Sequence, residues 1–240
     1  MVDINIVFDI IYYKRTRHSK AKNFYENFDR KICINNVINE ECYNIINGYS
    51  HSFVSDFGDY LNNLDSNWNK LGDNARSEIL DNFIITIENN NKSVLPFYKN
   101  MIEKIYNNSL KLNELREYLL ELPGEMIDYL QNAISEMFTM VHPIVDRISY
   151  INEVNLSNFL INRYFKKYQL YDIRIFISLL HLINNGIKNE KNIDIIEFYT
   201  CDIPFFKNFN NIRKNRCNIY REIKMDYFSN AIDKISFKNL

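Results

Sequence analysis

The sequence predicts the α/β class: a three-layer domain around a parallel central sheet, with a large helical insertion. Three observations predict it. Short apolar, β-branched runs alternate with amphipathic stretches in the first part of the chain and again after residue 165. Between these parts the apolar residues recur at helical spacing. The charge divides along the same lines: residues 55–160 hold 16 acids and 8 bases, a net of −8, while the rest hold 14 and 21, a net of +7. The expected organisation is an α/β core from residues 1–50 and 165–240, with residues 51–164 as a helical insertion packed on it.

Composition narrows the function classes. With 46% hydrophobic residues in 240, the chain can bury a core. It has 5 glycines and neither a GxGxxG nor a GxxxxGK[ST] run, so a glycine-rich phosphate cradle is not expected. The four cysteines, Cys33, Cys42, Cys201 and Cys217, lack CxxC spacing and read as reduced thiols. The four histidines are scattered with no i, i+4 pair, which argues against a His/Cys metal site. There is no basic-then-apolar leader and no apolar run of membrane-spanning length, so a soluble cytoplasmic protein is expected.

Taken in order, "INIVF" (4–8) reads as a buried strand closed by Asp9. "SKAKNFYENF" (19–28) offers a Ser cap and an amphipathic turn or two. "KICI" (31–34) is a second strand, and "NNVINEECYNII" (35–46) a helix begun at an Asn cap. Through the middle, "VLPFYKNMIEKIY", "LKLNELREYLLEL" and "MIDYLQNAISEMFTMV" each place apolar residues on one helical face, with Pro96, Pro123-Gly124 and Pro143 marking helix starts and ends. Later, "DIRIFISLLHLINNG" (172–186) reads as a helix opened by Asp172 and closed by Gly186 at C′. "NIDIIEFYT" (192–200) is a strand, followed by Asp202 and a basic tail.

Three acids then occupy equivalent places: Asp9 and Asp202 after strands, Asp172 at a helix start. Carboxyl ends of parallel strands share one sheet edge, and right-handed crossovers bring helix N-termini to it. Glu41 falls on the inward side of its helix, an odd home for a carboxylate without a partner. Crowded carboxylates call for a hard cation, Mg²⁺ or Mn²⁺, held by oxygen ligands. Such an ion activates water and stabilises charge on phosphoryl oxygens, the chemistry of phosphodiester hydrolysis.

The runs "INIVFD", "NNVINEECYNII", "YDIRIFISLLHLINN" and "IIEFYTCDIPFFKN" together resemble the PIN domain, a metal-dependent ribonuclease fold. The resemblance covers about the first 50 and last 70 residues. It implies metal-ligating and catalytic roles for Asp9, Glu41, Asp172 and Asp202, with Thr200 as a supporting hydroxyl. One departure stands out: the family follows its first Asp with Ser or Thr and then Asn, whereas Asp9 is followed by Ile10 and Ile11.

The basic run "YKRTRHSKAK" (13–22) supplies Lys14, Arg15 and Arg17, which with Arg213, Lys214 and Arg216 would rim the site and contact phosphates. Tyr12, Tyr13 and Phe206 are candidates for stacking on bases. The leading expectation is a Mg²⁺/Mn²⁺-dependent endoribonuclease of toxin–antitoxin or phage-defence type, with RNA as substrate and DNA not ruled out by charge. The second is a catalytically impaired PIN-like module that binds RNA or protein. The third is a mainly helical partner-binding protein, such as a defence or immunity factor, founded on the acidic middle. An inhibitory protein partner and a homo-oligomer stay open.

Overall fold

The structure is a computed structural model that describes residues 1–240 except 13, 30, 64–67, 91–93, 109, 144–146, 167–168, 187–192 and 224–225. Helix makes up 75% of it and strand 9%, which overturns the expected three-layer α/β domain with a central parallel sheet. Among the described residues the strands form two separate two-stranded parallel ladders. The first pairs β1 (Cys33–Asn35) with β2 (Thr139–Val141). The second pairs β3 (Ile196–Thr200) with β4 (Ile235–Asn239). The sequence over-weighted its apolar runs: a short continuous one fits a buried helix as well as a buried strand.

The first run shows this most clearly. "INIVF" is not a strand but the start of helix α1 (Ile4–Ile11), which carries Asp9 in its interior. Ile4, Ile6, Val7, Phe8, Ile10 and Ile11 are all buried. Its two polar residues, Asn5 and Asp9, share one face at i, i+4, and β-branching costs the helix little compared with the burial of the rest. Asp3 starts it: the Asp3 carboxylate accepts the Ile4 N–H at 2.8 Å, and its carbonyl accepts from Ile6 and Val7. The extended chain ends sooner than expected, at Val2. That residue bridges to Tyr199 in parallel and donates its N–H to the Cys33 carbonyl, so Met1–Asp3 lies between β1 and β3.

The chain divides into two compact units. The first comprises Met1–Phe8, Ala21–Cys42 and Ser135–Leu240, and the second Asp9–Lys20 and Tyr43–Ile134. Helix α2 (His18–Glu26) enters the first unit at Ala21, and α3 (Asn36–Asn63) leaves it after Cys42. The first unit also holds α7 (Arg147–Arg163), α8 (Leu170–Asn185), α9 (Ile203–Lys214), α10 (Arg216–Ile223) and α11 (Asp226–Asp233). Its core joins Phe198 and Phe237 of the second ladder to Phe205 and Phe209 of α9, with the Phe209 and Phe237 rings stacked. Helix α8 is buried almost throughout from Ile173 to Ile183, and Gly186 ends it with φ 73°, a backbone that suits glycine.

The second unit is all-helical. It holds most of α3, then α4 (Asp73–Asn90), α5 (Leu95–Asn108) and the bulk of α6 (Leu112–Met137). Phe53, Phe57, Phe83 and Tyr98 form its aromatic centre, and the Tyr98 hydroxyl donates to Asp56 at 2.8 Å. Pro123-Gly124 does not end a helix: α6 runs straight through it. One stripe of Leu115, Leu119, Leu122, Met126, Leu130 and Ile134 is buried on both sides of the proline, and that packing outweighs the lost backbone bond. No helix among the described residues is long and apolar enough to cross a membrane.

Candidate functional site

Four carboxylates of the first unit form a chain of charge interactions: Asp3 acts on Glu41 and Asp172, Asp172 on Glu41, and Asp202 on Asp3 and Asp172. Each stands near the start of a helix. Asp3 precedes α1, and Glu41 lies early in α3. Asp172 is in the first turn of α8, and Asp202 is the N-cap of α9, accepting the Phe205 N–H at 2.8 Å. Helix N-termini carry partial positive charge, which favours a carboxylate within the first turn. Parallel strands explain the gathering: β1, the Met1–Asp3 stretch and β3 each run directly into a helix, so their carboxyl ends and those helix starts share one edge.

Hydrogen bonds fix the set. Thr200, fully buried at the end of β3, donates its hydroxyl to Asp3 at 2.8 Å and accepts the Asp202 N–H at 2.9 Å, tying two of the four acids together. Asn5 also bonds the Asp3 carboxylate. Asn35, buried at the end of β1, accepts the Ile38 N–H at 2.9 Å and donates to Ser178, which ties the start of α3 to α8, the helices that carry Glu41 and Asp172. Gln169 donates to Asp172 at 2.9 Å.

The electrostatics are unfavourable as they stand. Burial pushes the Glu41 carboxyl up to about 8, reinforced by repulsion from Asp3 and Asp172 and partly relieved by Arg174. Asp172 is pushed up to about 7 by burial and then by Asp3 and Asp202. Asp3, wholly buried, is raised to about 6 by burial, against the opposing hydrogen bonds from Thr200 and Ile4. The Cys42 thiol next along α3 is driven well upward by burial and by Glu41 and Asp3. Glu41 Oε2 is buried with no hydrogen-bond partner. A buried carboxylate oxygen without a hydrogen-bond partner, within charge range of Asp3 and Asp172, is an environment that a cation relieves, and all-oxygen donors fit Mg²⁺ or Mn²⁺.

Among the described residues no three His, Cys, Asp or Glu side chains are already gathered as a ligand set. The two findings are compatible, because charge acts farther than ligation. Unit charges ~8 Å apart still interact by about 2 kcal/mol at an effective dielectric near 20, whereas ligand oxygens must reach within about 2–2.6 Å of an ion.

Of the expected ligands, Glu41, Asp172 and Asp202 fall in this group, and Thr200 sits beneath it. Asp9 does not belong with them. It lies in the second unit, buried, and its carboxylate pairs with Arg15 and, at 3.1 Å, with Arg17, while the His18 ring reaches its carbonyl at 2.9 Å. Asp3 takes the place that the sequence reading gave Asp9. A signal for it was present: an Asp immediately before an apolar helical run reads as an N-cap.

The expected basic rim is largely spoken for. Lys14 pairs with Glu103 at 3.2 Å, Arg15 and Arg17 with Asp9, and Arg213 and Arg216 with Asp233 at 3.7 and 3.1 Å. Tyr12 is buried with its ring edge-on to Phe97 and Tyr129, so it is core and not a stacking platform. Tyr13 lies outside the described residues. One cation not expected from the sequence acts on the acids: Arg174, one turn along α8, whose charge is felt by Glu41.

Comparison of the chain with protein-family models, with curated proteins and with solved structures finds no match.

Proposed function

We propose that the first unit is a Mg²⁺- or Mn²⁺-dependent nuclease that hydrolyses phosphodiester bonds of RNA. The observation that carries this reading is the grouping of Asp3, Glu41, Asp172 and Asp202, linked by charge and, for Asp3 and Asp202, through Thr200, with the Glu41 Oε2 atom buried and without a hydrogen-bond partner. Those four side chains would hold the ion. When bound, it neutralises the carboxylates, lowers the pKa of water and draws charge from phosphoryl oxygens. In the reaction the oxygen of water joins phosphorus, the ester P–O bond breaks, and the proton lost by water ends on the leaving alkoxide. Thr200 keeps Asp3 and Asp202 in register, and Asn35 keeps α3 against α8.

The reading keeps the sequence's resemblance to PIN-domain ribonucleases at the level of site residues, not of the layered fold. The family's first acid is followed two residues later by Asn, and Asn5 stands two residues after Asp3. Asp3 shares half of the departure noted at Asp9, since Ile4 stands where the family has Ser or Thr.

The test is cleavage of a labelled single-stranded oligoribonucleotide with Mg²⁺, with Mn²⁺ and with chelator. Divalent-dependent cleavage is expected in the wild type and lost by at least about 100-fold in Asp202→Asn and Glu41→Gln, the scale of removing a metal's charge stabilisation. A deoxyribonucleotide of the same sequence reports the sugar preference. RNA binding with no cleavage under any divalent would favour a non-catalytic RNA-binding module, and cleavage that survives both substitutions would remove these acids from the mechanism.

A further inference from the structure

We propose that the Arg174–Tyr171–Glu40 group beside the acid cluster is the phosphate-binding subsite of the protein, with Glu40 occupying it in place of a phosphodiester of a single-stranded nucleic acid. The inference rests on the nuclease reading above for its substrate class, and on its own geometry for the rest.

An acidic site that handles a polyanion has a problem: each phosphate arriving next to Asp3, Glu41 and Asp172 meets like charge. Some fixed cation must stand at the entrance. Arg174 is placed for that. It lies two residues after Asp172 on α8, and its charge is felt by Glu41. Its guanidinium carbon is 5.3 Å from the centroid of the Tyr171 ring, which orients the plane of the fork. The fork itself is filled by both oxygens of Glu40, at 3.2 Å from Nη1 and 2.7 Å from Nη2. A two-oxygen anion in that position has the shape and charge of the phosphate oxygens a guanidinium binds bidentately.

The pair is placed to exchange. The side chains of Arg174 and Glu40 are 41% and 48% exposed, and exposed ion pairs hold weakly because water and salt screen them. A phosphate entering the fork displaces the Glu40 carboxylate into solvent at little cost. Glu40 and Glu41 are neighbours on α3, so one anion would be released toward water as the next phosphate along the strand came over the acids. The cations expected from the sequence to do this, Lys14, Arg15 and Arg17, belong to the second unit and pair with Glu103 and Asp9 there.

The experiment reads binding separately from cleavage. Anisotropy of a fluorescent single-stranded oligoribonucleotide is titrated with wild type, Arg174→Ala, Arg174→Lys and Glu40→Gln, in chelator across a salt series. Loss of one charge-assisted bidentate contact should weaken Arg174→Ala by about 10-fold or more. It should also lower the slope of log affinity against log salt by about 0.7, one single-strand phosphate contact. Arg174→Lys, which keeps the charge and loses the fork, should fall between. Glu40→Gln should bind more tightly than wild type, because the competing anion is gone. Equal affinity in Arg174→Ala and wild type, weaker binding in Glu40→Gln, or no binding by the wild-type protein would each overturn the proposal. Cleavage with Mn²⁺ is followed in parallel. Cleavage with KM unchanged in Arg174→Ala defeats this subsite alone, and Arg174-dependent binding without any cleavage defeats the nuclease reading alone.

Discussion

Asp9 is almost wholly buried, yet Arg15 and Arg17 both reach its carboxylate and its carbonyl meets the His18 ring. One acid thus gathers the start of the basic run around the end of α1. A buried charge with two cationic partners is a structural clasp: removing the acid leaves two guanidiniums without their counter-ion. Asp9→Asn keeps the shape and an acceptor oxygen while losing the charge. The expected cost is about 1–3 kcal/mol, which lowers Tm by roughly 5 °C in a chain of this size. Divalent-dependent cleavage measured below that Tm should persist. A thermal scan and the cleavage assay on the same sample check both halves. Unchanged Tm with cleavage abolished would return Asp9 to the site. Asp3 presents the opposite case: as buried as Asp9, it has hydrogen-bond donors but faces other acids rather than cations.

At the scale of elements, the sequence was legible where a pattern was long or capped. Helix α8 with its terminal Gly186, strand β3, the helix beginning at Asn36 and the apolar stripes of the middle all lie where residue spacing put them. Three of the four coupled acids, Glu41, Asp172 and Asp202, were legible for the same reason: each is anchored to one of those elements. What was not legible turned on length and on tertiary contacts. The Met1–Asp3 stretch is too short to show alternation, and Ile4–Ile11 carries only two polar residues, Asn5 and Asp9, whose i, i+4 spacing is a slight signal of helix within a β-branched run. Thr139–Val141 continues an apolar helical stripe and becomes a strand because it pairs with Cys33–Asn35, a contact between distant residues. Pro123-Gly124 looked like a break because local propensity says so, and a buried leucine stripe on both sides overrode it. That stripe makes a prediction. A Cβ added at Gly124 would meet nothing within 4 Å, so Gly124→Ala should gain helix propensity without a clash. The expected gain is about 0.5–1 kcal/mol, a rise in Tm of about 1–4 °C. A fall in Tm on calorimetry would mean that the helix is interrupted there.

At the scale of the whole molecule, the acid cluster ties stability to pH and to divalent cations. Carboxylates titrate near pH 4 in an unfolded chain. In the folded protein Asp3 is raised to about 6, Asp172 to about 7 and Glu41 to about 8. Between pH ~4 and the raised values the folded chain therefore binds more protons than the unfolded one, and stability falls as pH rises. The contribution of these groups is complete below pH ~4 and is lost by pH ~8. A divalent cation has the opposite dependence, because it needs the ionised carboxylates and competes with their protons. In chelator, Tm should thus decline between about pH 4 and about pH 8, the window those shifts define. Mn²⁺ should restore it at the alkaline end and do little at the acid end. Glu41→Gln removes the most strongly raised group along with a ligand. It should flatten the decline, stand above wild type at about pH 8.5 in chelator, and respond less to Mn²⁺. Thermal scans of both proteins across that range decide the matter. Parallel pH profiles with equal responses to Mn²⁺ would mean that the four acids do not act as one charged centre. The comparison needs no substrate, so it tests the cation site independently of the nucleic acid.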